Sequence, residues 1–546
     1  MVAAEFPRSI SYTVFGRFTS KKLEKKQVFF HIFLKFAVRP VYFSAMKIRF
    51  TNVLIADGSG QAPSPGELLV CHARIEDMGV RVSHLREDAV IDGRGLTLSP
   101  GWIDAHGHSD LSLPASPAAF GKISQGITTE ICGNCGLSAF PLNENNRDHL
   151  QELYAQYRIP LTWSNGQSYQ RQLPANTLRM VPLCGHNTLR AAVAGYETRK
   201  LSPAQLDAMC RLLDAELAAG AAGLSSGLLY TPGCFADQAE IIRLLEVVAR
   251  HNKVYALHLR SEGNQLLESL EETSEAALAS GLNRLMISHF KTAGPANFDK
   301  LDAALAWFDR TRQQGIQVWC DRYPWCESQT QLSIIVPEKF GIFDDTTLKK
   351  LLQRPERRTE LAEMLRQSGR NWENVRLVWT QALQYQPFAG KSFADIAGQT
   401  SLDPAELAVG ILQQDAPGCS AAFRGMSPDN LMRILQQDYC CCGTDESARP
   451  ADYSIGRSHP RGFGAMPRYF RLLQALGIPT GEAVRRMSGL PAEIFQLHDR
   501  GKLECGRLAD LVLFDPEALD TSADFAAPHT PSQGIAGVWI GGHRVQ

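Results

Sequence analysis

Two hydrophobic periods divide the chain. Between residues 100 and 490, short β-rich runs bounded by glycine alternate with stretches of helical period, the pattern of repeated strand–helix units around a parallel sheet. Eight such runs occur, at 101–108, 128–135, 179–186, 223–230, 254–260, 285–291, 317–323 and 438–445. Eight is the number that closes an α/β barrel. The stretches between them carry helix signals. Ser202-Pro203 supplies an N-cap and a first-turn proline ahead of Leu206, Met209, Leu212 and Leu213, and Asn252 ends the periodic segment 237–251. More than 100 residues separate the seventh and eighth runs, with charged helical sequence at 346–367. This reads as an insertion at about 331–380, on the catalytic face of the barrel, where it can serve as a lid. The flanks alternate with a period of two instead, at 47–55, 67–75, 509–514 and 537–540. The expected fold is therefore α/β: a (β/α)8 barrel over 99–501 and a small β domain assembled from 46–98 and 502–546.

Composition narrows the class. The 546 residues are 44% hydrophobic and 21% charged, enough for a large core, and no 18 consecutive residues are apolar, which disfavours a membrane span. Lys plus Arg number 56 against 57 Asp plus Glu, so no basic excess points to nucleic acid. The charge is uneven along the chain: residues 1–45 hold 8 basic and 2 acidic side chains. They include Lys21, Lys22, Lys25 and Lys26, then an apolar run over 28–38 interrupted by His31 and Lys35. That run is too short to cross a bilayer. Residues 1–45 are read as an N-terminal extension, with targeting or surface attachment as the alternative, and the alternating strand that starts abruptly at Met46 makes Met46 the expected true start. Thirteen cysteines spread through a long chain without a secretion signal read as reduced thiols of a cytoplasmic enzyme.

The chemistry gathers at strand ends. In Pro100-Gly-Trp-Ile-Asp-Ala-His-Gly-His-Ser-Asp, strand alternation puts His106 and His108 on one face, where they can grip one ion. A lone His-x-His is a weak signal. Its weight comes from Cys135, His258, His289 and Asp445, which end the second, fifth, sixth and eighth runs, where barrel enzymes place their chemistry. Cys132 and Cys135 also form a C-x-x-C, which by itself could be a redox pair or half a structural zinc site. By alternation the two sulfurs face opposite ways, leaving Cys132 to pack. Cys440, Cys441 and Cys442 read as packing at the eighth strand. Asp445 has a second reading, as the N-cap of a helix after that strand.

These motifs, in this order, resemble the N-acyl-D-amino-acid deacylases (D-aminoacylases) of the amidohydrolase superfamily, from about Met46 to the C-terminus. The resemblance is carried by Gly101-Trp-Ile-Asp-Ala-His-Gly-His, Gly126-Ile-Thr-Thr, Gly133-Asn-Cys-Gly, Gly185-His-Asn-Thr-Leu-Arg and Gly223-Leu-Ser-Ser-Gly-Leu-Leu-Tyr-Thr-Pro-Gly. It continues through His258-Leu-Arg-Ser-Glu, Ser288-His-Phe-Lys, Tyr323-Pro, His459-Pro-Arg and Ala509-Asp-Leu-Val-Leu-Phe-Asp-Pro. It implies a zinc ion held by Cys135, His258 and His289, and a weaker second metal position using His106, His108, the shared Cys135 sulfur and Asp445. It also implies Asp445 as the proton carrier, with Arg461, Lys291 and Tyr323 receiving the α-carboxylate of a D-amino acid and Tyr230 lining the site. His186 is read as structural or orienting, Glu262 as an orienter of ligands, and His459 as a support for Arg461 or a plain loop residue.

The chain also departs from the family. Most related hydrolases bridge two metals with a lysine on the fourth strand, yet 223–230 has none and Cys135 takes that place. Phe290 replaces a usual histidine, Trp325 a common tyrosine, and Glu327 and Gln329 enter a Ser/Thr-rich stretch. The implied reaction is zinc-dependent hydrolysis of an N-acyl-D-amino acid, a small-molecule substrate, with no nucleic-acid or membrane partner and the oligomeric state open. A hydrolase of cyclic amides or dipeptides is the alternative chemistry, and a non-catalytic scaffold the alternative class.

Overall fold

The computed structural model describes residues 47–546 apart from 83–86, 176, 197–199 and 342–343. The expectations for residues 1–45 lie outside them. Each of the eight β-rich runs forms a parallel strand: Trp102–Asp104, Ile127–Cys132, Arg179–Pro182 continued by Cys184–Gly185, Gly223–Gly227, Val254–His258, Arg284–Ile287, Gln317–Arg322 and Cys440–Cys442. Neighbours pair in chain order, as in Trp102 with Ile127, Gly227 with His258 and Arg322 with Cys442. The last strand meets the first where the Ala105 amide donates to the Cys442 carbonyl at 3.1 Å, so the sheet closes on itself. Strands covered on both faces favour buried apolar side chains. Ile131, Leu224, Leu257, Leu285, Ile287 and Cys441 supply them and are fully buried.

The outer helices follow local signals. Pro203–Ala218 is capped by Ser202, with the Gln205 side chain accepting in return, and Gln238–Arg250 is capped by Asp237. Among the described residues no helix is long and apolar enough to cross a membrane.

The small β domain is one sheet drawn from both flanks. Lys47–Ile55 pairs with Ser64–Cys71, and Thr97–Pro100 pairs antiparallel with Leu511–Phe514, which continues to Ile535–Ile540. The expected strand over 67–75 is instead a hairpin bend, because His72 and Ala73 adopt left-handed backbone between Ser64–Cys71 and Arg74–Gly79. Alternation splits the C-terminal strands between two cores. Leu511, Leu513 and Trp539 join Phe50, Val53 and Leu98 on one face, while Val512, Phe514, Val538 and Ile540 join the barrel core on the other.

Between the seventh and eighth strands, Glu327–Gln331, Val375–Trp379 and Ser420–Arg424 form a three-stranded antiparallel sheet. Its helices enclose a core of their own, running from Leu332 to Ala421, so the insertion extends well beyond the expected 331–380. The single helical stretch expected at 346–367 is two helices, Asp345–Leu351 and Pro355–Gln367, separated at the proline.

Candidate metal centre and active site

Three of the strands stop short of the chemistry, while Val254–His258 carries His258 as its last residue. Trp102–Asp104 ends before His106, Ile127–Cys132 before Cys135 and Arg284–Ile287 before His289. His106 and His108 therefore do not meet by strand alternation; an irregular segment brings their rings to a T-shaped contact with centroids 5.2 Å apart. Cys135, His289 and Asp445 all have left-handed backbone, with φ of 52°, 36° and 50°. Non-glycine residues in that region cost conformational energy and cluster at functional sites. The turn after each strand uses this backbone to aim its side chain back over the barrel mouth.

The six expected metal-ligating residues converge. The Cys135 sulfur lies 3.6 Å from His258 Nδ1, 3.5 Å from His289 Nε2 and 3.4 Å from His106 Nε2. Asp445 Oδ1 lies 3.1 Å from His108 Nε2 and 3.6 Å from His106 Nε2. A tetrahedral zinc with one sulfur and two imidazole ligands sets sulfur and nitrogen about 3.5 Å apart. The Cys135, His258 and His289 donors match that spacing, and their chemistry is the one zinc prefers. His106, Cys135, His289 and Asp445 also fall within reach of a single ion, as do His258, Glu262 and His289.

Electrostatics prepare these groups. Burial resists ionisation of Cys135, but His106 and His289 outweigh it and hold the thiol well below its ordinary range, as a thiolate. Burial likewise opposes the Asp445 carboxylate, and Arg461 followed by His108 overcomes it. Arg461 Nη2 lies 3.0 Å from Asp445 Oδ2, and its guanidinium carbon is 4.3 Å from the Tyr323 ring. Its Nε and Nη1, together with the Tyr323 hydroxyl, are buried without a hydrogen-bond partner. Unpaired buried donors are costly, and these line the same cavity as Cys135, His258, His289 and Asp445, where an anionic group could satisfy them. Tyr230 stacks edge-on against His258, with centroids 4.8 Å apart. Lys291 is already engaged: its Nζ pairs with Glu262 and lies 2.9 Å from His289 Nδ1. Glu262 also reaches His289 Nδ1 at 2.9 Å, leaving Nε2 to face Cys135. The Arg461 amide donates to His459 Nδ1 at 3.0 Å, so His459 braces the clamp.

Other expectations resolve differently. Asp445 caps no helix, because the next one, Arg461–Ala475, begins sixteen residues on with Pro460 at its N-cap. Cys132 is buried, and burial drives its thiol well above the ordinary range, so it packs as expected, although Cys135 lies past the strand and alternation is not the reason. His186 contacts Glu240 at 2.8 Å, away from the cluster.

Two supports have no sequence signature. Asp321 Oδ2 lies 3.2 Å from His106 Nδ1, while Oδ1 accepts from the His289 amide at 3.0 Å. Lys122, wholly buried, donates to Asp104 at 2.6 Å, Thr444 Oγ1 at 2.7 Å and the Glu446 carbonyl at 2.8 Å, and pairs with Glu130 at 3.0 Å. It ties the His106 segment to the Asp445 loop. The cavity above, about 360 Å³, is roofed by Ser328, Gln329, Trp379 and Phe423 of the insertion.

Comparison with known proteins identifies the family. Residues 342–546 match the amidohydrolase family. The N-acyl-D-glutamate deacylase of Alcaligenes xylosoxydans xylosoxydans is 31% identical over 502 residues, 90% of this chain and 92% of that protein. The N-acyl-D-aspartate deacylase of the same organism is 32% identical over 503 residues, 90% of each. The solved N-acyl-D-glutamate deacylase of Bordetella bronchiseptica, complexed with zinc and a phosphonate inhibitor mimicking the tetrahedral intermediate, superposes with a TM-score of 0.75. It shares 31% identity, covering 92% of this chain and 97% of that one. The chain belongs to the N-acyl-D-amino-acid deacylase family of the amidohydrolases.

Proposed function

We propose that this protein hydrolyses the amide bond of N-acyl-D-amino acids, giving a carboxylate and a free D-amino acid, with zinc as its cofactor. The observation that carries the reading is the meeting, in one cavity, of a thiolate–imidazole donor set spaced for zinc and a carboxylate held ionised by Arg461. Cys135, His258 and His289 would hold the tighter ion, and His106, His108, Cys135 and Asp445 a weaker second one. Zinc, when bound, lowers the pKa of water and polarises a carbonyl. The chain's residues do the rest. Asp445 takes the proton of the attacking water and delivers it to the leaving amine, acting first as base and then as acid. The unpaired donors of Arg461 and the Tyr323 hydroxyl receive the substrate α-carboxylate, with Tyr230 along the opposite wall. Lys291 adds positive charge nearby while fixing Glu262 and His289. All thirteen cysteines are free thiols, which supports a cytoplasmic place, and the free D-amino acid released by the proposed reaction would put the enzyme in D-amino acid metabolism.

The test is acetate release from N-acetyl-D-methionine, N-acetyl-D-glutamate and N-acetyl-L-methionine, by wild type and Asp445→Ala, with zinc assayed on both. Turnover confined to D-substrates, reduced about 10²–10⁴-fold in the variant while zinc is retained, is the expected result. A zinc-loaded wild type that releases acetate from none of the three would overturn the assignment.

A further inference from the structure

Resting on the deacylase reading, we infer that the acyl subsite takes a neutral aliphatic chain of medium length in preference to acetyl. The argument begins with direction. Lys291 follows the sixth barrel strand, Tyr323 the seventh and Arg461 the eighth, whereas Leu137 follows the second and Leu229 and Tyr230 the fourth. A substrate whose α-carboxylate sits on the Arg461 side and whose carbonyl sits at Cys135 sends its acyl chain toward Leu137 and Leu229.

On that side the catalytic cavity does not close. Leu137, Leu153, Leu229, Tyr230, Ile334 and Pro417, together with the polar Thr330 and Gln331, line it and also line a second cavity of about 460 Å³. Leu229 and Ile334 at this junction are 41% and 42% exposed, unusual wetting for large apolar side chains flanking an active site. Past the junction the wall continues through Leu150, Val336, Leu348 and the stacked His149–Tyr196 pair, whose ring centroids are 3.6 Å apart. An acetyl methyl reaches none of this surface. Glu338, Asp344 and Asp345 line the second cavity and not the first, and would repel a terminal carboxylate and so oppose a dicarboxylic acyl group. Each methylene moved from water onto the apolar wall contributes about three- to fourfold in affinity.

The experiment compares kcat/KM for the N-acetyl, N-butanoyl, N-octanoyl and N-succinyl derivatives of D-methionine and D-glutamate, following release of the free amino acid from the zinc-loaded full chain. The octanoyl substrate is expected to exceed acetyl by at least tenfold, with succinyl below butanoyl. Ile334→Asp and, separately, Leu229→Gln, both at exposed positions, are expected to collapse the octanoyl-to-acetyl ratio. An enzyme active on acetyl whose kcat/KM stays flat or falls with chain length would overturn the inference and leave the deacylase reading standing. A ratio unmoved by both substitutions would overturn it too, and no release from any substrate would overturn both.

Discussion

Asp321 anchors two of the proposed ligand residues at once, taking the Nδ1 side of His106 and the backbone amide of His289. Partners that fix the far nitrogen of a ligand histidine are worth about 10–100-fold in metal affinity or activity. Asp321→Ala is therefore expected to weaken zinc retention by roughly that factor, measured by competition with a chelator, while circular dichroism stays unchanged. The clustering of the proposed ligands was legible in the sequence because barrel chemistry collects at the ends of β-rich runs, and Cys135, His258, His289 and Asp445 sit there. Asp321 and Lys122 were not legible. Some of their partners lie far along the chain, as His106 does from Asp321 and Thr444 from Lys122, and an Asp or Lys near a strand gives no periodic or spacing signal. The left-handed backbone at Cys135, His289 and Asp445 is likewise a property of closed turns that residue type does not announce.

Between the eighth strand and the helix Arg461–Ala475 runs the loop that holds Asp445 at one end and leads to Arg461 at the other. His529, from the C-terminal segment, pins it. Its Nε2 accepts from the Ser458 amide at 3.2 Å and its Nδ1 faces the Asp452 carbonyl at 2.9 Å, an arrangement that needs the neutral ring. Burial first, with Arg449 and Arg457 adding to it, pushes the His529 pKa down to about 4, below its ordinary 6.5. The folded state thus binds this proton less readily than the unfolded one. Stability from this site is intact above about pH 6.5 and declines as pH falls toward 4. His529→Phe should flatten that acid slope in thermal midpoints taken from pH 7 to pH 4, and an unchanged slope would remove His529 as its source. Elements with strong local grammar were read correctly, such as the capped helix Pro203–Ala218. The insertion's first strand was not, because Glu327–Gln331 reads Glu-Ser-Gln-Thr-Gln, half-buried throughout, without the apolar alternation that marks a strand.

At the scale of the molecule, the eight-strand count and the two-ended β domain both followed from the change of period along the chain, and the independent core of the insertion did not. Hydrophobic patterning identifies buried faces but not which core they join. The Leu332-to-Ala421 cluster shares no residue with the barrel cluster, so the insertion is expected to open as its own unit. Hydrogen exchange should show amides of Val375–Trp379 and Pro404–Asp415 exchanging together, and faster than those of Val254–His258. Equal protection in all three would argue for one cooperative unit. The two-ended sheet carries a different consequence, one of timing during synthesis. Thr97–Pro100 leaves the ribosome well before its antiparallel partner Leu511–Phe514, which is made about 410 residues later. The edge that pairs with Leu511–Phe514 must stay open while the whole barrel is translated, which leaves it exposed to wrong strand pairing, and a target for a chaperone, until that partner arrives.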